Sequence, residues 1–97
     1  MPELFYTKHA IQRMFERSIS EDDVEKVISE WKVVKEYPDD NPYPSVLLMA
    51  DINGKPLHVV CSVDKSDSGN VKYIVITVYQ PSSSEWNDDF ITRKVNK

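Results

Sequence analysis

Three residues near the start of the chain have the types and spacing to handle a phosphate: His9, Arg13 and Arg17, in the run His9-Ala10-Ile11-Gln12-Arg13-Met14-Phe15-Glu16-Arg17. On a helix, at about 100° per residue, they fall within roughly 80° of one another, while Ala10, Ile11, Met14 and Phe15 point the opposite way. An imidazole takes or gives a proton near neutrality, and two guanidiniums can hold a dianionic or pentacovalent phosphate by paired hydrogen bonds. The same spacing also suits an ordinary amphipathic helix whose polar face pairs with Glu16 or with acids elsewhere.

The elements that must position these groups are legible as a rough order. Thr7 is placed to cap a first helix running to about Arg17. Ser20 caps a second, with Asp23 three residues on and Glu21 and Asp22 at the positive helix end. Val24, Val27, Ile28 and Trp31 follow the i, i+3, i+4, i+7 pattern of that helix's apolar stripe. From Lys32 to Tyr37 the chain reads as a strand, stopped by Pro38-Asp39-Asp40-Asn41-Pro42. The segments 45–51 and 56–63 flank Ile52-Asn53-Gly54-Lys55, where Asn-Gly marks a hairpin. A polar loop over 64–70 precedes the β-branched run 71–80, and Ser84 is placed to cap a last short helix through Phe90 to about Lys94. The expectation is an α+β fold over residues 1–97: two N-terminal helices, a four-stranded mainly antiparallel sheet and a short C-terminal helix.

Strand alternation selects further candidates. In segment 56–63, Leu57, Val59, Cys61 and Val63 share one face, which turns His58 to the other with Val60 and Ser62. In the last strand the same rule groups Tyr73, Val75, Thr77 and Tyr79 against Ile74, Ile76 and Val78, and leaves open which group meets His58. A partly buried structural histidine is the plain alternative for His58, and Thr77 and Tyr79 are ordinary strand residues.

Composition narrows the function classes. Apolar residues make up 40% of the 97 and charged residues 29%, which excludes wholesale disorder. No apolar run approaches the roughly 20 residues of a membrane span. Met1-Pro2-Glu3 lacks the pattern of a signal peptide, so a cytoplasmic setting is expected. The lone cysteine, Cys61, lies in an apolar stretch and is expected to be a buried thiol. Two distant histidines and no Cys-x-x-Cys pair argue against a metal, and no cofactor is expected. A net charge of −4 weighs against broad nucleic-acid affinity, but a small site needs only a local cluster, and the acids gather at Glu21-Asp22-Asp23, Asp39-Asp40 and 85–89.

These residues together carry a resemblance. His9-Ala10-x-x-Arg13-Met14-x-x-Arg17, Ile19-Ser20 before a capped helix, Pro56-Leu57-His58-Val59-Val60, Ile76-Thr77-Val78-Tyr79, and a closing Trp86 with Arg93 resemble a bacterial domain-of-unknown-function family of the DUF4258 type. The likeness spans about residues 6–93. In layout that family is similar to RelE, ParE and MqsR-type toxins of the barnase, EndoU, colicin and RelE superfamily. The resemblance implies an RNA-cleaving toxin paired with a cognate antitoxin protein, with His9, Arg13, Arg17 and His58 in motif positions and Thr77 and Tyr79 matching as well.

On that reading the 2′-hydroxyl of RNA attacks the adjacent phosphate without a metal. His9 and His58 form the acid–base pair in either order, and Arg13 and Arg17 stabilise the phosphorane. Tyr43, Tyr79 or Trp86 would stack a base, and Arg93 joins the substrate-binding set. The competing reading is a noncatalytic interaction or regulatory module of the same fold, in which the His/Arg stripe docks an acidic partner.

Overall fold

The computed structural model describes residues 3–30, 32–66 and 69–86. A short strand β1 (Glu3–Tyr6) leads into α1 (Lys8–Glu16) and α2 (Glu21–Glu30), followed by β2 (Lys32–Tyr37), β3 (Ser45–Ile52), β4 (Lys55–Asp64) and β5 (Lys72–Tyr79). Thr7 caps α1 as its residue type predicts, its hydroxyl oxygen accepting from the Ala10 amide. At the other end Ser18 takes a left-handed conformation (φ 55°). The Ile19 amide donates back to Met14 and the Ser18 amide to Phe15, a Schellman closure with serine where glycine is usual. Ser20 and Asp23 cap α2 reciprocally, each backbone amide donating to the other's side chain.

The sheet corrects the expected fold. Among the described residues it has five strands in the order β1-β5-β4-β3-β2, and it is mixed, because β1 runs parallel to β5 with Leu4 opposite Tyr73 and Tyr6 opposite Val75. The four-stranded, mainly antiparallel sheet is therefore wrong by one strand. That strand has only four residues, and its partner lies some seventy positions away, so no local period could announce it. The remaining pairings are antiparallel. Asn53 and Gly54 both have positive φ (53° and 82°), which closes the β3–β4 hairpin as Asn-Gly predicts. Past β5 the chain makes a single turn, with the Glu85 and Trp86 amides both donating to the Ser82 carbonyl. Among the described residues no helix follows β5, and positions 87–94 of the expected C-terminal helix lie outside them.

Both helices pack on one face of the sheet. Ala10, Met14, Val24, Val27 and Ile28 meet Leu48, Ala50, Leu57, Val59, Cys61, Val75 and Val78 in one buried cluster. The first helix does not bury its whole apolar set. Ile11 is 56% exposed and Phe15 87%, so the expectation that they face the core with Ala10 and Met14 fails; α1 rests on the sheet along the narrower 10/14 seam.

Two β-bulges decide which side chains reach the helix-free face. In β5, Thr77 pairs with Val60 but Val75 pairs with Cys61, leaving Ile76 as the extra residue. Tyr73 and Val75 therefore belong to the helix side, while Thr77 and Tyr79 join His58 and Val60 on the other. The predicted common face of Tyr73, Val75, Thr77 and Tyr79 is broken at this point. In β2, Val33 pairs with Leu48 and Lys35 with Leu47. The bulge at Val34 keeps Val33 on the core and sends Lys35 and Tyr37 to the face of His58.

Candidate functional site

His58 is the least expected element of the molecule, a fully buried histidine (0% exposed) on the face away from the helices. Its neighbours Leu57 and Val59 supply the core on the other side. Its Nδ1 hydrogen-bonds the Tyr79 hydroxyl at 3.1 Å, and Tyr79 lies directly opposite it in the ladder. The Trp86 ring meets the imidazole edge-to-face at 4.6 Å, and the Tyr79 ring does so at 5.2 Å. An imidazole held between two aromatic rings and bonded to a phenol is oriented, but it is closed to solvent.

Tyr79 opens this arrangement to the outside. It is half-buried, and with Trp86, Val60, Leu47, Lys35 and Tyr37 it lines a cleft of about 440 Å³. Lys35 Nζ lies 5.2 Å from the centroid of the Tyr37 ring, a cation–π contact at the mouth. Among the described residues no carboxylate lines the cleft. It thus offers one cation, the Tyr37 phenol and aromatic surface, a set suited to a phosphate ester carrying a flat base. Lys35 and Tyr37 were missed from sequence because simple alternation groups them with the core-facing Val33; only the bulge at Val34 reverses them.

The other expected site residues are distributed differently. His9 is exposed on α1, and neither it nor Arg13 lines the cleft. Arg13 is bound to Glu16 in an exposed ion pair of 2.9 Å, and that hydrogen bond holds the Glu16 carboxyl below its usual range. Since α1 packs on the helix side of β5 and His58 faces the other way, the structure does not bring His9 and His58 together as an acid–base pair. Arg17 is the one member of the helical stripe that comes near Tyr79. Its guanidinium donates to the Val78 carbonyl at 2.7 Å, and Thr7 Oγ1 donates to that of Ile76 at 3.2 Å. Both carbonyls lie beyond the stretch of β5 paired to β1, so α1 satisfies a sheet edge that no strand covers among the described residues.

Trp86 is buried, 5% exposed, with its ring engaged on His58 rather than presented for stacking. Thr77 sits on the His58 face, opposite Val60. Tyr43 lines a separate cavity of about 340 Å³ with Pro38, Val46, Val63 and Asp64, where hydrogen bonds from Ser66 and then from Tyr43 hold the Asp64 carboxyl below its ordinary range. Arg93 lies outside the described residues. Burial pushes the Cys61 thiol up to about 12, as befits a core residue. Among the described residues no group of His, Cys, Asp and Glu could hold a metal ion, and no helix is long and apolar enough to cross a membrane.

Fold and site together define an α+β domain with two helices on one face of a mixed sheet and a cationic, aromatic cleft anchored by a buried histidine on the other. A family model described as domain of unknown function (DUF4258) matches residues 6–80, and the chain belongs to that family. The match takes in α1, the His58 strand and Tyr79. No curated protein and no solved structure matches it.

Proposed function

We propose that this domain binds single-stranded RNA in the Tyr79 cleft and cleaves it without a metal, as the sequence resemblance to RelE, ParE and MqsR-type toxins implies. The observation that carries the reading is the buried His58 bonded to the phenol of Tyr79, a residue that lines a lysine-bearing cleft with no carboxylate among the described residues. The roles differ from those expected of the helical stripe. Lys35 takes the phosphate, Tyr37 and Tyr79 offer rings to the bases, and His58 is a positioning residue that fixes the Tyr79 hydroxyl without touching substrate.

In the cleavage step the 2′-hydroxyl oxygen attacks phosphorus and the bond to the 5′ oxygen breaks, leaving a cyclic phosphate. Tyr79 gives its proton to the departing 5′ oxygen and regains one from solvent. The 2′ proton leaves to water at the cleft mouth, since His9 does not line the cleft to accept it. One positioned proton donor is typically worth 10²–10⁴-fold, so the expected enzyme is slow. Purified protein with chelator present should retain a labelled single-stranded RNA and leave cyclic phosphate and 5′-hydroxyl ends. Lys35→Glu should weaken retention, and a 2′-deoxy substitution at the cut site should stop cleavage but not binding. Wild-type protein that neither retains nor cuts RNA at low salt refutes the proposal.

A second reading, a noncatalytic module that docks a protein such as an antitoxin, is favoured by the exposed Ile11 and Phe15 one helical turn apart on α1. Growth arrest on expression, relieved by the product of a neighbouring gene, favours the toxin. Partner binding lost in Phe15→Ser, from a protein that leaves RNA intact, favours the module.

A further inference from the structure

The cleft is not isolated, because Tyr79 also belongs to a second cavity. With Arg17, Ile19 and Gln80 it lines a space of about 300 Å³ at the edge of β5. Arg17, Ile19 and Gln80 in turn line a third, of about 180 Å³, together with Asn53 and Lys55 of the hairpin between β3 and β4. Successive cavities thus share walls, and the chain of them leads from Lys35 past Tyr79 to Arg17 and Lys55. Three elements remote in sequence, the end of α1, the end of β5 and the β3–β4 hairpin, converge there.

The electrostatics of the far end suit an anion. Arg17 spends one bond on the Val78 carbonyl, and the rest of its five-donor fork remains for a ligand. Lys55 is exposed and makes no ion pair among the described residues. Asn53 and Gln80 add neutral donors. Among the described residues the single carboxylate lining this end is Asp23, whose Oδ2 accepts the Ser20 amide in the α2 cap.

We propose that the Arg17–Lys55 cavity is a second phosphate subsite, which holds the backbone of single-stranded RNA beyond the nucleotide seated at Tyr79. This rests on the RNA-binding reading above and extends it. The ligand is then a chain of several nucleotides running around the C-terminal end of β5, with Lys35, Arg17 and Lys55 as successive cationic stations and Tyr79 as the aromatic step between the first two. Arg17 has two duties here, sealing the open edge of β5 and facing the polymer, which accounts for an arginine where a hydroxyl such as that of Thr7 suffices for the neighbouring carbonyl.

The test uses the whole chain and two probes, a dinucleotide carrying a single phosphate and a longer single-stranded RNA, followed by fluorescence anisotropy over a range of salt. Lys55 is the residue to change, because it sits on an exposed hairpin and holds nothing in the fold. Lys55→Gln should weaken the longer RNA about fivefold and reduce its salt slope by about 0.7, the amount for one lost phosphate contact on a single strand. The dinucleotide should bind as before. Lys55→Glu should enlarge the loss for the longer RNA alone. If both variants bind the longer RNA with wild-type affinity and slope while Lys35→Glu weakens both probes, the subsite is refuted and the cleft stands. Wild-type protein that binds neither probe overturns both.

Discussion

Removing one oxygen atom tests the central feature of the site. Tyr79→Phe keeps the ring and deletes the hydroxyl that His58 Nδ1 bonds at 3.1 Å. Because His58 is fully buried, deleting a hydrogen bond to its ring costs about 1–3 kcal/mol. For a domain near 100 residues each kcal/mol lowers Tm by about 4–8 °C, so the variant should melt roughly 4–24 °C below wild type. Circular dichroism or calorimetry reads this directly. Nitrogen NMR of the imidazole supplies a signature that general destabilisation would not produce, a change at Nδ1 well below the melting temperature. At that same low temperature the folded variant should keep much of its RNA affinity, through Lys35 and the remaining ring, while cleavage falls with the lost proton donor. A variant within about 0.5 kcal/mol of wild type, with an unchanged imidazole signal, would show that the bond does not exist and that His58 positions nothing.

Other perturbations follow from single observations. Ser18→Gly should stabilise the protein by about 0.5–1 kcal/mol in urea unfolding, because the left-handed φ of 55° penalises any residue with a Cβ; a destabilised variant would contradict the helix end described above. Cys61, fully buried with its thiol pushed up to about 12, should resist alkylation in the native state and react at the rate of global unfolding; prompt labelling would place it outside the core. Asp64 is held below its ordinary value of 3.8, chiefly by Ser66. Its contribution to stability is therefore complete above that value and is lost as pH falls through the lower folded value. Asp64→Asn should remove that part of the acid dependence below about pH 4, and an unchanged acid limb would refute the assignment.

How far the molecule could be read without coordinates depended on the range of the interaction involved. Caps, helix periods and the Asn-Gly turn are settled within a few residues, and there the chain was explicit. The Thr7 and Ser20 caps, the buried Val24, Val27 and Ile28, the hairpin and the bounds of Lys32–Tyr37 all stand where the residue types place them. The turning of His58 away from Leu57, Val59 and Cys61 was legible too, because β4 alternates regularly over that stretch. The two strands beside the site do not alternate regularly. One extra residue at Val34 and one at Ile76 each shift the side-chain phase by one, and nothing in either run marks the residue that will be left unpaired.

The amino-acid order by itself thus determined the local elements, the core stripe of α2, the isolation of Cys61 in the interior and the face on which His58 lies. Tertiary structure alone decided that β1 joins the sheet, that Ile11 and Phe15 stay outside while Arg17 closes the edge of β5, and that Lys35, Tyr37 and Tyr79 gather around a histidine far from His9. The physical reason is that helices and turns are fixed by bonds between near neighbours, whereas bulges, strand order and the choice of face are fixed by partners tens of residues away.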